Sequence, residues 1–191
     1  MRQRGSEILE AIASHELRTS ITSILGVTEL LDAEYIEQNK QEILIRKEYV
    51  DILIRNAKRL ERLAEEILDV TKIERGRFAI KMEENRISQV ISNLLSNALK
   101  FTKDNGIIAV NAKREGNCVI VIVKDSGEGI DNKIFPRLFS KFATNSYQGI
   151  GLGLFISKKI IEAHGGKIWA ENNPDGRGGA TFAFILPTIN K

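Results

Sequence analysis

The chain has 191 residues, 42% of them apolar, which is enough for one large domain or two small ones with packed cores. Its 28 basic and 25 acidic residues leave a formal net charge of only +3, spread along the chain without a cationic block, so nothing in the charge implies a nucleic-acid partner. The single cysteine, Cys118, excludes an internal disulfide and a cysteine-based zinc site, and without an apolar run of about 18 residues or a signal-peptide start the chain as given is expected to be soluble and cytoplasmic.

From Ser6 to about Leu31, apolar residues at Leu9, Ala13, Leu17, Ile21, Ile24 and Leu31 follow helical spacing, with Gly26 the sole internal breaker. The polar segment "DAEYIEQNKQE" lacks that stripe and reads as a connection. Leu53, Ala57, Leu60, Ala64 and Ile67 then recur at alternating spacings of four and three, which predicts a second long helix with a coiled-coil-like seam, ending near Glu74 to Gly76. Two such helices fold back as a hairpin, and a lone hairpin buries its seam against another copy, so a homodimeric four-helix bundle is expected.

After Gly76 the texture changes. "RFAIKM" reads as a short strand and "RISQVISNLLSNALKF" as a helix. "IIAVNAKREGNCVIVIVKD" reads as two strands around a turn at Glu115, Gly116 and Asn117. "GLFISKKIIEAHG" is a further helix, and "KIWAEN" and "ATFAFILP" are closing strands. This order predicts an α+β two-layer sandwich behind an all-α hairpin, with domains at residues 1–75 and 76–191. Cys118, opening the run "CVIVIV", reads as a buried core thiol.

Chemistry concentrates at three places in the second domain. "DSGEGI" (125–130) follows a strand and "GIGLGL" (149–154) opens a helix, so backbone can approach a ligand twice, the second time at a helix N-terminus suited to phosphate. "NLLSNALKFT" (93–102) puts Asn93 and Asn97 four residues apart on one helical face, with Lys100 a turn beyond. Asparagine is a poor interior helix residue, because its amide competes for backbone hydrogen bonds. An amide oxygen can ligate Mg²⁺ and a lysine can neutralise phosphate, so this face suits a metal-nucleotide complex; a solvated polar face is the alternative.

The ordered set "ISNLLSNALKFT", "VKDSGEGI", "LFSKFAT" and "GIGLGLFISKKIIEAHGG" resembles the N, G1, F and G2 boxes of histidine-kinase ATP-binding domains, in the superfamily of DNA gyrase and the mismatch-repair ATPases. "SHELRTSITSILGVTELL" resembles the H box of the dimerisation and phosphotransfer domain that precedes it in such kinases. The resemblance implies a sensor histidine kinase core using ATP and Mg²⁺. In it Asn97 would ligate Mg²⁺ with Asn93 as its companion, Lys100 would contact phosphate, and Phe101 would pack near the nucleotide. Asp125 would accept from the adenine amino group, Gly127 and Gly129 would admit the base, and Thr181 would place a hydroxyl near it. Gly149, Gly151 and Gly153 would flank the triphosphate, with Ile130, Lys141 and Leu154 completing the site from the same boxes. Residues Asp131 to Gln148 would form a short lid anchored by Phe139 and Phe142.

The gyrase-like ATPases carry a glutamate one turn before the metal-binding asparagine to orient water; here that position is Asn93, and an amide is no base, so phosphoryl transfer to a protein group is expected over hydrolysis. His15 lies about 160° around the wheel from Leu17, at about 100° per residue, and so faces away from the apolar stripe. The resemblance implies that His15 takes the γ-phosphoryl group and passes it to a response-regulator receiver domain. Glu16 would be its acid-base partner, and Thr19 would position water for dephosphorylating the regulator. His164, ending a helix, reads as a structural cap.

Two departures carry expectations of their own. Ser20 stands where the H box has proline, which should leave the helix straighter. The stretch "GRFAIKMEEN" replaces a strand, a helix and further strand, so the ATP-binding domain is shortened near residues 77–86 and part of its sheet face should be bare. A catalytically impaired dimeric scaffold and a gyrase-like ATPase are therefore the alternatives to a kinase. The sensor domain that would feed this core is missing from the chain.

Overall fold

The computed structural model describes residues 2–38, 46–74, 84–144, 150–174 and 178–188. They divide into two units, Met1–Asp69 and Val70–Lys191, each treated by itself.

The first unit is helical. α1 spans Arg2–Gln38 and α2 starts at Lys47 and ends at Glu74. α1 thus takes in Asp32 to Gln38, which the polar composition had assigned to the connection. It runs uninterrupted through Ser20.

The face that α1 buries is Ala13, Glu16, Ser20 and Val27, and α2 buries Leu63 and Glu66. This is one step around the helix from the predicted stripe: Leu17, Ile24 and Leu31 are only half-buried and Ile21 is 46% exposed. On α2 the predicted seam residues Leu53, Leu60 and Ile67 are half-buried, while Ala57 and Ala64 are exposed. The strongest apolar periodicity therefore marks surface that one copy leaves partly to water, while the buried faces of α1 and α2 mix Val27 and Leu63 with small and charged groups, including an ion pair of Arg59 with Glu16.

The second unit is an α+β sandwich. α3 (Glu84–Phe101) is followed by β1 (Ile108–Glu115) and β2 (Cys118–Asp125), a 3₁₀ turn at Phe135–Arg137, α4 (Gly153–Ala163), β3 (Lys167–Asn172) and β4 (Ala180–Pro187). The strands form one antiparallel sheet in the order β1-β2-β4-β3. Gly116, at φ 58°, makes the two-residue hairpin turn between β1 and β2. The expected strand at "RFAIKM" lies outside the described residues.

The register sets which side chains share the helix-covered face. Val110, Val123, Phe182 and Ala170 stand in one row, and Ala112, Val121, Phe184 and Ile168 in the next. Val123, Phe182, Phe184 and Ile168 are buried, under α3 on β2 and α4 on β3 and β4. Val90, Leu94 and Ala98 of α3 and Ile156, Ile160 and Ile161 of α4 complete this core. Over β1 no described helix lies: Val110 is 54% exposed, and the neighbouring flank of α3 forms an open groove of about 450 Å³ lined by Ser88, Ile91, Ser92, Leu95, Ser96 and Leu99. Cys118 is half-buried, because it opens β2 at the hairpin end rather than within the core.

Candidate active site

β2 delivers Asp125 to its C-terminal end, where the side chain is only 4% exposed. Oδ1 accepts from the backbone N–H groups of Gly127, at 2.9 Å, and Ala180, at 3.2 Å. Oδ2 takes no hydrogen bond among the described residues, so one oxygen is fixed and the other remains an acceptor for a ligand. Gly127 cannot carry a side chain: a Cβ would lie 2.3 Å from the Phe101 carbonyl oxygen, which brings the end of α3 against this loop. Gly129, at φ 79°, turns the chain so that the N–H of Ile130 donates to Asn172 Oδ1 at 2.6 Å, while Asn172 Nδ2 donates back to the Ile130 carbonyl at 3.0 Å.

Thr181, near the start of β4, donates its hydroxyl to Asn173 Oδ1 at 2.7 Å, and Asn173 in turn donates to the Asp125 carbonyl at 2.8 Å. Asp125, Gly127, Gly129 and Ile130 are thus brought together at one end of the sheet, whereas Thr181, in register with Lys124 and Glu171, has its side chain on the face opposite Asp125, since side chains alternate along a strand. Asn172 and Asn173 hold the loop there and were missed in the sequence. The legible signal was a doubled asparagine closing a strand, a residue type whose side chain bonds readily to nearby backbone.

Asn93 sits at the other end of the helix face. Its Nδ2 donates to the Gly153 carbonyl and to Ser157 Oγ, each at 3.3 Å, tying α3 to the first turn of α4. The eight residue steps from Asn93 to Phe101 cover about 12 Å of helix axis, linking the start of α4 to the glycine loop. Between them Asn97 is half-buried and its side chain makes no hydrogen bond among the described residues, and Lys100 Nζ lies 5.5 Å from the Phe101 ring centroid. α4 has no side-chain cap at Leu152, so its first N–H groups are available to an anion. Gly151, at φ 73°, accepts from the Phe142 N–H at 3.0 Å. The expected lid residues up to Thr144 are described, and their buried anchors are Ile134 and Leu138; Phe139 and Phe142 are half-buried. Lys141 pairs with Glu74 and stands 5.3 Å from the Phe155 ring centroid. Gly149 lies outside the described residues, and Leu154 is half-buried in α4. His164 caps α4, with Nδ1 2.8 Å from the Ile160 carbonyl oxygen.

In the helical unit His15 is exposed, facing away from the buried row as the wheel requires. Glu16 is not beside it in solvent: the carboxylate is 6% exposed and bonded by Arg59, because the next residue on a helix points about 100° away. Thr19, one turn on, is exposed and donates its hydroxyl to the His15 carbonyl at 2.9 Å. Ser20 is fully buried and its hydroxyl has no partner among the described residues.

Two family models match end to end. Residues 8–76 match the His Kinase A (phospho-acceptor) domain, and residues 82–190 match the histidine kinase-, DNA gyrase B- and HSP90-like ATPase. The chain belongs to the histidine kinase family. This core is 33% identical over 228 residues to the sensor protein KdpD of Clostridium acetobutylicum, an alignment that takes in 95% of this chain and 24% of that protein. It is 38% identical over 119 residues to the sensor protein FixL of Bradyrhizobium diazoefficiens, across 61% of this chain and 23% of that one. The core thus spans about a quarter of the length of these relatives. The KdpD alignment is longer than the whole 191-residue chain, so KdpD carries residues without a counterpart here. A crystal structure of histidine kinase ThkA in complex with response regulator protein TrrA superposes with a TM-score of 0.64 at 29% identity, covering 98% of this chain and 64% of that one. Among the described residues no helix is long and apolar enough to cross a membrane.

Proposed function

We propose that the chain is the catalytic core of an ATP-dependent protein-histidine kinase in a two-component system, acting in the cytoplasm. His15 takes the γ-phosphoryl group of ATP and passes it to an aspartate on a response-regulator receiver domain. The observation that carries this reading is the pairing of an exposed His15 with a nucleotide face whose Asn93 is an amide held on Gly153 and Ser157. An amide cannot take a proton from water, so hydrolysis lacks a base.

In the transfer the lone pair of a neutral His15 ring nitrogen forms the N–P bond while the bond from phosphorus to the β–γ bridging oxygen breaks, its electrons leaving with ADP. The proton on the other ring nitrogen then leaves, to Glu16 once its carboxylate lets go of Arg59. Thr19 positions water for dephosphorylating the regulator. Asp125 binds the base, with Gly127, Gly129 and Ile130 shaping its slot, and Thr181 braces the loop through Asn173 from the other face of the sheet. Lys100, Lys141 and the glycines at 149, 151 and 153 serve the triphosphate.

Mg²⁺ fits this face: Asn97 offers an unengaged amide oxygen, and the described residues hold no carboxylate or histidine cluster to complete an all-protein shell, as suits a hard cation shared with phosphates and water. Bound there, it would neutralise charge developing between the β- and γ-phosphates.

The exposed apolar residues Leu25, Leu30, Ile54 and Leu68 support a homodimer through the hairpin. In this reading the domains run 1–75 and 76–191, the second shortened near 77–86; the extra residues of KdpD support a shortening without locating it. The uncovered flank of α3 favours one other reading, a dimeric scaffold with impaired catalysis.

Incubation with γ-labelled ATP and Mg²⁺ separates them. Acid-labile, alkali-stable label on the protein, lost in His15→Gln, is the expected result. Nucleotide binding without label would leave the scaffold, and free phosphate without protein label would leave an ATPase.

A further inference from the structure

Asn172 closes β3 with an amide that meets one backbone residue twice. Its Oδ1 accepts from the Ile130 N–H at 2.6 Å, and its Nδ2 donates to the Ile130 carbonyl at 3.0 Å. Chemistry fixes the direction of the amide, since the N–H can only donate and the carbonyl can only accept. The contact copies one rung of an antiparallel ladder, with a side chain supplying to Ile130 what a neighbouring strand would.

The register puts this rung at the base end of the site. Asn172 pairs with Ala180, whose N–H donates to Asp125 Oδ1 at 3.2 Å. Val123, Phe182 and Ala170 share a row on the helix-covered face, and Asp125 and Asn172 each lie two residues further along, so both belong to that face. The loop of residues 126–130 is therefore tied at both ends. At one, the Ser126 N–H donates to the Ile107 carbonyl at 3.0 Å and Ser126 Oγ accepts the Ile107 N–H at 2.8 Å; at the other, Asn172 holds Ile130. Between them Gly129 stands at φ 79°, where glycine is free to take other conformations, and a Cβ there would lie 2.9 Å from Asn172 Oδ1.

Resting on the adenine-nucleotide reading above, we propose that Asn172 is a positioning residue for the nucleotide base: by clamping Ile130 it holds the loop, before the nucleotide arrives, in the shape that receives the base beside Asp125. Without the clamp the loop populates other shapes, and binding has to restore the competent one. Asn172 touches no substrate atom in this account and acts through Ile130 alone. Its effect falls on the base, which is held equally in the ground state and the transition state, and not on the transferring phosphoryl group.

The test is Asn172→Ala in the full chain with Mg²⁺. KM for ATP in His15 autophosphorylation rises by about tenfold, the worth of about one hydrogen bond, while kcat stays unchanged, because loss of uniform binding moves KM alone. The affinity for adenosine, which carries the base and no phosphate, falls by the same factor in titration calorimetry. Inorganic triphosphate, which carries phosphates and no base, keeps its inhibition constant against ATP. Asn172→Asp has the same size and still accepts from the Ile130 N–H, yet it sets an oxygen against the Ile130 carbonyl, so it does not restore the parent KM. A side chain that only filled space would be fully replaced by it.

A fall in kcat with KM unchanged overturns the proposal, as does a parent-like affinity for adenosine or a parent-like Asn172→Asp. If Asn172→Ala does not fold, Asn172→Ser, too short to reach both atoms of Ile130, takes its place in the same measurements. If the parent binds ATP but carries no label, the adenosine and triphosphate affinities decide. A parent that binds neither ATP nor adenosine overturns the adenine reading itself.

Discussion

His15 and Glu16 are neighbours in sequence and opposites in environment. A step of about 100° per residue puts the imidazole in solvent and the carboxylate on the buried face with Arg59. The outward direction of His15 was legible from the wheel, because it depends only on the helical period. The burial of Glu16 was not, because the wheel was drawn on the apolar residues, and the true inner row uses Glu16 and Ser20. Glu66 is a second carboxylate on a buried row. Burial pushes its pKa up, only partly opposed by the charge and hydrogen bond of Arg62, while Asp69 and Glu65 push the same way as burial. A carboxyl that holds its proton more tightly when folded stabilises the fold below its unfolded value of 4.5, and that contribution is lost as pH rises through the higher folded value. Melting temperature should therefore fall across that window, and Glu66→Gln should flatten the dependence and melt higher than the parent at neutral pH. An unchanged slope in the variant would refute the assignment.

α3 carries three jobs on three faces. Val90, Leu94 and Ala98 anchor it to sheet and α4, Asn93 and Asn97 face the site, and Ile91, Leu95 and Leu99 line the open groove. Sequence spacing identified the polar face, since paired asparagines in a helix are conspicuous. It could not separate the two apolar faces, because a leucine in the core and a leucine on a bare flank look alike until the neighbours are known. The difference is large in energy. Leu94→Ala, at a fully buried site, should cost about 3 kcal/mol, whereas Leu99→Lys, at a site 69% exposed, should stay within about 0.5 kcal/mol. Urea denaturation followed by the fluorescence of Trp169, the sole tryptophan and a β3 residue, reads this unit directly. Comparable losses in the two variants would mean that something covers the flank.

In the molecule as a whole, the order of helices and strands in the second unit was readable because its turns are marked by glycines and its strands by β-branched runs. The base end of the site was readable only in part. Asp125 and the glycines announce themselves by type and spacing, while Asn172 and Asn173 act through backbone carbonyls 42 and 48 residues away, Ile130 and Asp125, that no local pattern reveals. The shortening proposed near residues 77–86 would account for the open flank of α3 beside β1 among the described residues.

That flank bears on how the protein answers temperature. Ile91, Leu95, Leu99 and Val110 already contact water in the folded state, so unfolding hydrates less new apolar surface than a fully covered sandwich would expose. The heat-capacity change of the second unit should then fall below the usual ~12–15 cal/mol/K per residue, giving a flatter stability curve with weaker cold and heat limits on either side. Scanning calorimetry gives the value, and a result in the ordinary range would show that these side chains are dry. A domain trimmed of one covering helix would have a lower stability maximum and a broader one.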